Sequence, residues 1–295
     1  MTHRASGEWA LKEALDRLYD SRSAAQLAGD PLSFCHRYSD PADREVAAVI
    51  ASSLAYGGIR VILHSLSAAF AVMGPSPRSY VEEFRPGEAL EALAGFRHRF
   101  NDGRDLTALF WALRLMINDA GSVQAFFLRC HDSGADDVGA SLDGYSSRVL
   151  AFDYRPVFGS AAPPEDSYFR FLFPAPSCGS ACKRLCMWLR WVVRPADGID
   201  LGLWQGVAPS QLVIPVDTHV QRIAGYLGLT RRRQADWRMA LEITKALRRL
   251  DPHDPVRYDF ALAHLGISGG CDGGTSRCSR CPVAGLCSVN GRQLP

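Results

Sequence analysis

The strongest constraint on this chain is a run of four cysteines near its C-terminal end. Cys271, Cys278, Cys281 and Cys287 read C-x6-C-x2-C-x5-C across seventeen residues of a glycine-rich stretch. Packing explains such a run poorly, whereas four thiolates form a complete set of ligands for one metal centre. Two disulfides, or a set of half-buried small side chains, are the alternatives.

The number of residues between these cysteines indicates which kind of metal centre they would bind. Structural zinc sites usually pair two short knuckles with two to four residues between their cysteines. Only Cys278 and Cys281 have that spacing. A cluster is wider than a single ion and suits the longer outer gaps, so the spacing favours iron–sulfur, with zinc as the alternative.

Composition predicts a globular chain without a membrane span. At 295 residues, 47% hydrophobic and 22% charged, the chain suits one large domain or two modest ones. No run reaches eighteen apolar residues, and the charged N-terminal stretch lacks a signal-peptide core. We therefore expect a cytoplasmic protein, in which nine cysteines indicate metal ligation and buried thiols over disulfides.

The charge is distributed unevenly along the chain. Residues 178–295 hold 16 Lys and Arg against 9 Asp and Glu, whereas residues 1–177 hold 17 against 22. A basic C-terminal part that also carries a metal loop is typical of a nucleic-acid-binding region. A chance asymmetry on solvated faces is the alternative.

Apolar residues recur at helical spacing along almost the whole chain, which predicts an all-α fold. Asp40 and Pro41 predict a helix start, and Gly57-Gly58 predicts a tight turn into a second helix, so residues 41–73 form a helical hairpin. Residues 75–104 are irregular with short helical pieces, and a later helix runs from Gly179 towards Pro195. Only residues 211–216 suggest an extended segment, and nearby prolines argue against a central strand.

Asp217 is the second informative residue. By itself, Pro215-Val-Asp-Thr-His-Val220 predicts a helix start with Asp217 as its N-cap. The sequence VDTHVQRIAGYLGL also resembles the VDTHVxRVxxRLGL segment of helix-hairpin-helix DNA glycosylases, whose aspartate is catalytic. The cysteine spacing resembles, gap for gap, the [4Fe-4S] loop of endonuclease III and the MutY-type adenine glycosylases. It begins 54 residues after Asp217, close to the separation in that superfamily.

This resemblance implies an all-α, two-lobed helix-hairpin-helix glycosylase fold. A six-helix barrel module with a degenerate hairpin would span 41–208. A terminal module built from 1–40 and 209–295 would carry the catalytic aspartate and the [4Fe-4S] loop, and the two would flank a DNA-binding groove. The segments GSACKRLCMWLRWVVRP, DGIDLGLW and DPVRYDFAL resemble a bacterial family of unassigned function, which leaves the substrate open.

The resemblance also implies two catalytic residues. When an N-glycosidic bond breaks, a fixed carboxylate such as Asp217 stabilises the positive charge on the sugar and can act as general base. In bifunctional members a lysine at the start of the helix after the hairpin forms a Schiff base, and Lys183 lies at that position. The superfamily's LPGVG hairpin motif is absent and Gly179 stands alone, so Lys183 and Arg184 are alternatively phosphate-contacting or solvent residues.

Further DNA contacts follow from the same resemblance. Tyr56 and Gly57 lie at the turn where the superfamily inserts a side chain into the duplex, and Tyr56 would be the wedge. A simple glycine turn between core helices is the alternative. We expect Gly179 and Arg184 at the degenerate hairpin, and Arg277 and Arg280 in the cysteine loop, to contact DNA.

The function implied is that of a base excision repair DNA glycosylase. It would act on lesion-containing double-stranded DNA as a cytoplasmic, nucleoid-associated monomer without a membrane. It would cleave the N-glycosidic bond of a flipped damaged or mismatched base, with AP-lyase activity if Lys183 is the nucleophile. The alternatives are a non-catalytic DNA-binding iron–sulfur protein on the same fold, and a zinc-stabilised helical interaction module.

Overall fold

The fold is built almost entirely from helices. A computed structural model of the chain describes residues 2–22, 24–267, 271 and 278–288. The described α-helices are α1 (Thr2–Asp20), α2 (Pro41–Ser53), α3 (Ile59–Met73), α4 (Pro77–Glu82), α5 (Pro86–Ala92), α6 (Gly103–Ala120), α7 (Val123–Leu128), α8 (Gly139–Leu150), α9 (Arg155–Phe158), α10 (Lys183–Val193), α11 (Thr218–Tyr226), α12 (Trp237–Arg248) and α13 (Asp259–Ile267). The all-α prediction is confirmed. None of the described helices is both long and apolar enough to cross a lipid bilayer.

The predicted helical hairpin of residues 41–73 is present as α2 and α3. Asp40 caps α2, since its side chain accepts a hydrogen bond from the Ala42 N–H at 2.7 Å, and Pro41 occupies the first turn. Gly57 has a φ of +99°, a conformation that favours glycine, and Gly58 is the N-cap of α3.

Two local features differ from the sequence prediction. The helix expected to run from Gly179 begins at Lys183, because Gly179 and Cys182 both have positive φ and a 3₁₀ turn, Pro176–Cys178, precedes them. An antiparallel hairpin of β1 (Arg97–His98) and β2 (Asn101–Asp102) also occurs in the stretch predicted as irregular. These are the strands of the described part of the chain, and two residues each are too few for an alternating pattern to reveal.

Helix α10 runs through the middle of the core. Trp188 and Trp191 are almost fully buried, and Trp188 packs edge-on against Phe127 and Trp204. The buried carboxylate of Glu45 accepts hydrogen bonds from Trp204 Nε1 and from two backbone N–H groups at the start of α7. The core therefore joins α2, α7 and α10 through both apolar packing and a shared carboxylate.

Helix α1, at the N-terminal end of the described chain, packs near helices of its C-terminal part. Helix α1 packs on α13, and the Tyr258 hydroxyl donates to Asp16 at 2.7 Å. Helix α11 also packs on α13, and Gly266 permits the close approach, since a Cβ there would lie 2.6 Å from His219 Nδ1. The N-terminal helix and the helix that Asp217 precedes thus share one neighbour.

A buried ionic cluster fixes α10 against the loop that follows it, the segment before α13 and the first residue of α13. Arg190 pairs with Asp200 and Asp259, and Arg194 pairs with Asp200 and Asp254. Both arginine side chains are at most 4% exposed. Buried charges of this kind persist because each is paired and hydrogen-bonded, and removal of one partner is costly.

Candidate functional site

Asp217 is the N-cap of α11, as its position in the sequence predicts. Its Oδ1 accepts hydrogen bonds from the backbone N–H groups of His219 at 2.9 Å and Val220 at 2.8 Å. The residue is half-buried. Burial raises the pKa of Asp259 to about 6, Arg190 opposes that rise, and the negative charge of Asp217 adds to it. Asp217 therefore lies close to the buried ionic cluster around α10.

The helix that Asp217 caps also holds the cysteine segment. Arg222, five residues after Asp217, donates from Nη2 to the backbone carbonyl of Cys271 at 2.7 Å. The backbone N–H of Cys271 in turn donates to the Leu265 carbonyl near the end of α13. The first cysteine is thus anchored to both α11 and α13.

All four cysteines of the C-terminal run line one cavity. Cys271, Cys278, Cys281 and Cys287 surround it together with Ile223 of α11 and Leu227, the residue that follows this helix. The cavity has a volume of about 20 Å³, so the cysteines and apolar side chains lie close around it. Burial raises the pKa of Cys281, a backbone hydrogen bond from Val283 opposes this, and the other three thiols raise it further. The four sulfur atoms are therefore electrostatic neighbours.

The four thiols are soft donors that suit either an iron–sulfur cluster or a single zinc ion. Within the described residues, no group of three or more His, Cys, Asp or Glu side chains is already gathered around one point as ligands of a metal ion. A zinc ion would need its thiolates about 2.3 Å from one point. A cluster is ligated at its outer irons and accepts a wider ring of cysteines, and the residues that line this cavity besides the cysteines are mostly apolar.

Lys183 is the first residue of α10 and lies beside the α2–α3 turn. Its Nζ donates to the backbone carbonyl of Ala55 at 3.2 Å, and the side chain is half-buried. Lys183 and Asp217 form no ion pair with each other. They are connected through α10, since Lys183 begins the helix whose Arg190 pairs with Asp259 next to Asp217.

Arg184 is buried, whereas the DNA contact expected of it from the sequence would need an exposed guanidinium. Only 6% of the residue is exposed, and its guanidinium donates to the backbone carbonyls of Ser53 and Phe171. It also lies 4.1 Å from the centre of the Phe171 ring. Its position in the sequence beside Lys183 gave no sign of this, because a helix start is usually exposed. Arg184 ties α10 to α2 and to the 168–172 segment.

Tyr56 is packed into a cluster of rings and does not project from the turn. Its hydroxyl donates to Asn101 Oδ1 at 2.6 Å and lies 2.9 Å from the His98 carbonyl oxygen. Gly57 beside it is exposed, and a Cβ there would lie 2.6 Å from Arg99 Cδ. The turn is therefore held under the β1–β2 hairpin, and a wedge role for Tyr56 would require the hydroxyl to leave both partners.

One segment joins the Gly179 turn to the helix of Asp217. Ser180 forms a β-bridge with Asp236, and the Trp237 N–H donates to the Gly179 carbonyl at 3.4 Å. Gln221, one turn after Asp217, donates from Nε2 to the Arg233 carbonyl at 2.6 Å. Residues 231–237 thus bring the two sequence-identified positions into one contiguous region.

A family model described as "Protein of unknown function (DUF2400)" matches residues 30–268. The chain belongs to that family. The region common to the DUF2400 family includes Tyr56, Lys183 and Asp217 and ends shortly before Cys271. No curated protein and no solved structure matches the chain.

Some predicted positions of this DUF2400 chain lie outside what the structure describes. Arg277 falls outside the described residues, and so does the side chain of Arg280. Among the arginines of the basic C-terminal part, Arg184, Arg190 and Arg194 are buried, so they do not contribute to a DNA-facing surface.

Sequence reasoning missed several exposed residues of the region. Arg231, Arg233 and Arg238 are exposed around the segment that contacts the Gly179 turn. The run Arg231-Arg232-Arg233 is a visible signal, since three adjacent arginines before a helix are typical of a phosphate-binding surface. Tyr168 is 49% exposed, whereas Tyr154, Trp188 and Trp204 are buried. The spacing of apolar residues in the sequence does not show which of these aromatic residues are exposed and which are buried.

Proposed function

We propose that the chain is a DNA glycosylase of the helix-hairpin-helix type, with Asp217 as its catalytic carboxylate. The observation that carries this proposal is the position of α11, which presents Asp217 at its N-terminus and holds Cys271 through Arg222. One nine-residue helix thus joins the two features that resemble the superfamily.

Asp217 would act on the sugar of an extruded nucleotide. Because Oδ1 is held by two backbone N–H groups, the carboxylate has a fixed position and orientation. A fixed negative charge stabilises the oxocarbenium character that develops as the N-glycosidic bond breaks. The same carboxylate could accept the proton of an attacking water.

Lys183 would be the nucleophile if the enzyme also cleaves the abasic site. Its amine is held by a single backbone carbonyl at 3.2 Å, a contact that a substrate sugar could replace. A monofunctional enzyme would leave Lys183 in its observed contact with Ala55, where it supports the α2–α3 turn.

The four cysteines would hold a [4Fe-4S] cluster, which supplies a rigid structural centre. Cys271, Cys278, Cys281 and Cys287 are its proposed ligands, and Arg277 and Arg280 would contact DNA phosphates beside it. The two lobes proposed from sequence, 41–208 and the terminal segments 1–40 with 209–295, agree with the packing of α1 on α13.

The non-catalytic alternative has one observation in its favour. Tyr56 and Lys183 are both engaged in hydrogen bonds within the protein, so neither is free to act without a rearrangement. A protein that binds DNA through the same fold without chemistry would keep these contacts.

Incubation with a panel of lesions tests the proposal. Purified protein would be added to duplexes that carry oxidised, alkylated, deaminated or mismatched bases, and released base would be measured by chromatography. We expect release from at least one lesion. Absence of release from the whole panel, with affinity for duplex DNA intact, would favour the non-catalytic alternative.

A further inference from the structure

Exposed hydrophobic residues are concentrated on one part of the surface. Seven large hydrophobic side chains are exposed among the described residues, and five of them lie on the segments 56–61, 97–104 and 168–171. These five are Ile59, Val61, Phe100, Tyr168 and Phe171. A contiguous exposed apolar surface often marks a binding site, and ring contacts join Phe100, Tyr168 and Phe171 into such a surface.

Three rings in this region are nearly parallel. Phe100 and Tyr168 stack with centroids 5.2 Å apart and planes 20° apart, and Tyr56 lies on the other side of the set, 6.5 Å from Phe100 with planes 13° apart. Phe171 meets Tyr56 edge-on at 5.1 Å. Phe100, Tyr168 and Phe171 are 42–49% exposed, so each presents ring surface to solvent. We call these four residues the aromatic patch.

The patch is held rigidly by hydrogen bonds beneath it. The buried side chain of Asn101 accepts from Tyr56 and donates to the Tyr168 carbonyl at 3.0 Å, which fixes two of the rings relative to the hairpin. Arg184 bonds the Phe171 carbonyl from below. A preorganised aromatic surface binds a flat partner at a lower entropic cost than a mobile one.

The hairpin tip beside the patch has a left-handed backbone conformation. Two non-glycine residues of the described chain have positive φ, Arg99 at +54° and Cys182 at +47°. Arg99 forms the tip of the β1–β2 hairpin next to Phe100, and Cys182 precedes Lys183. Strained conformations persist where the surrounding structure fixes them, and they cluster at functional sites.

The three segments that form the patch carry a net positive charge. The three segments carry five arginines (Arg60, Arg97, Arg99, Arg104 and Arg170), all exposed, and a single carboxylate, Asp102. Asp102 is engaged as the N-cap of α6, and Glu165 and Asp166 lie just before the third segment. An open cavity of about 170 Å³ lies beside Phe100 and Tyr168, and Arg97 and Arg104 line it together with the carboxylates of Asp102, Asp105 and Asp166.

We infer that the aromatic patch binds unpaired bases of single-stranded DNA by stacking, with the surrounding arginines on the flanking phosphates. Planar exposed rings within a basic surface are the recurring solution for single-stranded nucleic acid, because every base offers a flat face and every nucleotide a negative charge. A protein partner would have to be strongly acidic to match five exposed arginines. The inference goes beyond the proposed cleavage reaction, since a protein without glycosylase activity would retain this binding.

Fluorescence anisotropy with three labelled probes tests this inference. The probes are a single strand, the same strand as a matched duplex, and a single strand of equal length whose sites are abasic. Phe100→Ala and Tyr168→Ala should each weaken single-strand binding by about 5- to 100-fold, the range for loss of one base stack. Binding of the abasic strand should change little, because its phosphates remain. Trp9→Ala, which removes an aromatic residue that is 66% exposed on α1, is the matched control and should bind as wild type.

Substitutions of similar size separate stacking from general hydrophobic contact. Phe100→Tyr keeps a planar ring and should retain binding, whereas Phe100→Leu keeps apolar volume without the ring and should lose it. Wild-type affinity in Phe100→Leu, or equal affinity of wild type for the abasic and base-bearing strands, would overturn the inference. A change in sedimentation of Phe100→Ala without a change in single-strand binding would mean that the patch contacts a second copy, and would overturn it too. Asp217→Asn should bind the single strand as wild type, so the result is independent of base release.

Discussion

Arg222 Nη2 donates to the carbonyl oxygen of Cys271 at 2.7 Å, and this hydrogen bond joins α11 to the first cysteine of the C-terminal run. The cysteine cavity and the proposed catalytic carboxylate are therefore parts of one unit. Any group that the cysteines hold would fix Cys271, and through Arg222 it would fix the helix that positions Asp217. In this proposal the cluster affects catalysis only by holding α11 in position through the contact of Arg222 with Cys271.

Arg222→Leu should weaken the attachment of Cys271. A hydrogen bond from a charged group contributes about 1.5–3 kcal/mol, so we expect the variant to lose bound iron to a chelator several-fold faster than wild type. Gln221→Leu is the matched control, because Gln221 also bonds a backbone carbonyl from α11, but that of Arg233. Equal rates of iron loss in the two variants would show that the Arg222 contact is not a support of the site.

Substitution of single cysteines tests the proposed ligand set. Purified wild type should contain four irons and four inorganic sulfides per chain, the composition of a [4Fe-4S] cluster, and should absorb visible light. Serine at Cys271, Cys278, Cys281 or Cys287 should lower the iron content. Cys178→Ser should not, because Cys178 is exposed and lies outside the cavity. A colourless protein with one zinc per chain would contradict the cluster proposal.

Asp217→Asn should abolish base release and keep DNA binding. The amide oxygen can still cap α11, so the expected loss of stability is about 1 kcal/mol or less, whereas the negative charge needed at the sugar is removed. Asp40→Asn is the matched control, since Asp40 caps α2 in the same way and is exposed. Similar thermal midpoints with release lost only in Asp217→Asn would separate chemistry from capping. Retained release in Asp217→Asn would remove Asp217 from the mechanism.

The Schiff-base role of Lys183 has an unusually complete test, because the chain contains three lysines, Lys12, Lys183 and Lys245. If the enzyme is bifunctional, borohydride should trap wild type on lesion DNA, and Lys183→Ala should not be trapped. Lys12→Ala and Lys245→Ala should be trapped as wild type, since Lys12 pairs with Asp16 on α1 and Lys245 lies on α12. Trapping that persists in Lys183→Ala would place the nucleophile at another amine, such as the N-terminus.

Sequence patterns predicted the helices well where a cap and an apolar stripe coincide. Asp40-Pro41 marks the start of α2 and Asp217 marks that of α11, because an N-cap acts through its own neighbouring N–H groups. The start of α10 was missed by four residues, because cysteine is not a residue type that indicates the positive φ found at Cys182.

Only part of the candidate site could be predicted from the sequence, because some of its contacts join segments that are far apart in the chain. Asp217 and the cysteine run are local motifs, whereas the contact of Arg222 with Cys271 spans 49 residues and depends on how α11 packs on α13. The aromatic patch is less predictable still. It combines Tyr56, the Phe100 hairpin and Tyr168 from three distant segments, and their exposure is decided by the fold. Tyr154 and Trp188 are aromatic residues in similar sequence surroundings, yet they are buried in the core.

His98 should make the stability of the protein depend on pH below neutrality. It is fully buried, its Nδ1 is bonded to Ser65 Oγ at 2.9 Å, and burial lowers its pKa to about 4 from the usual 6.5. The unfolded chain therefore binds a proton as the pH falls below about 6.5 while the folded chain does not, so stability is present at neutral pH and declines towards pH 4. Since one pKa unit corresponds to about 1.4 kcal/mol, the free energy of unfolding should fall by about 2 kcal/mol between pH 6.5 and 5.

Urea unfolding of His98→Asn and His64→Asn between about pH 7 and pH 5 measures this contribution. His98→Asn should show a flatter dependence on pH than wild type, because the residue that binds the extra proton in the unfolded chain is gone. His64 is exposed on α3, so His64→Asn should keep the wild-type slope. Parallel slopes in all three proteins would mean that His98 takes up its proton in the folded state at its ordinary pKa. In that case the ring cluster formed by His98 and Tyr56, whose centroids lie 4.5 Å apart, would have to admit water.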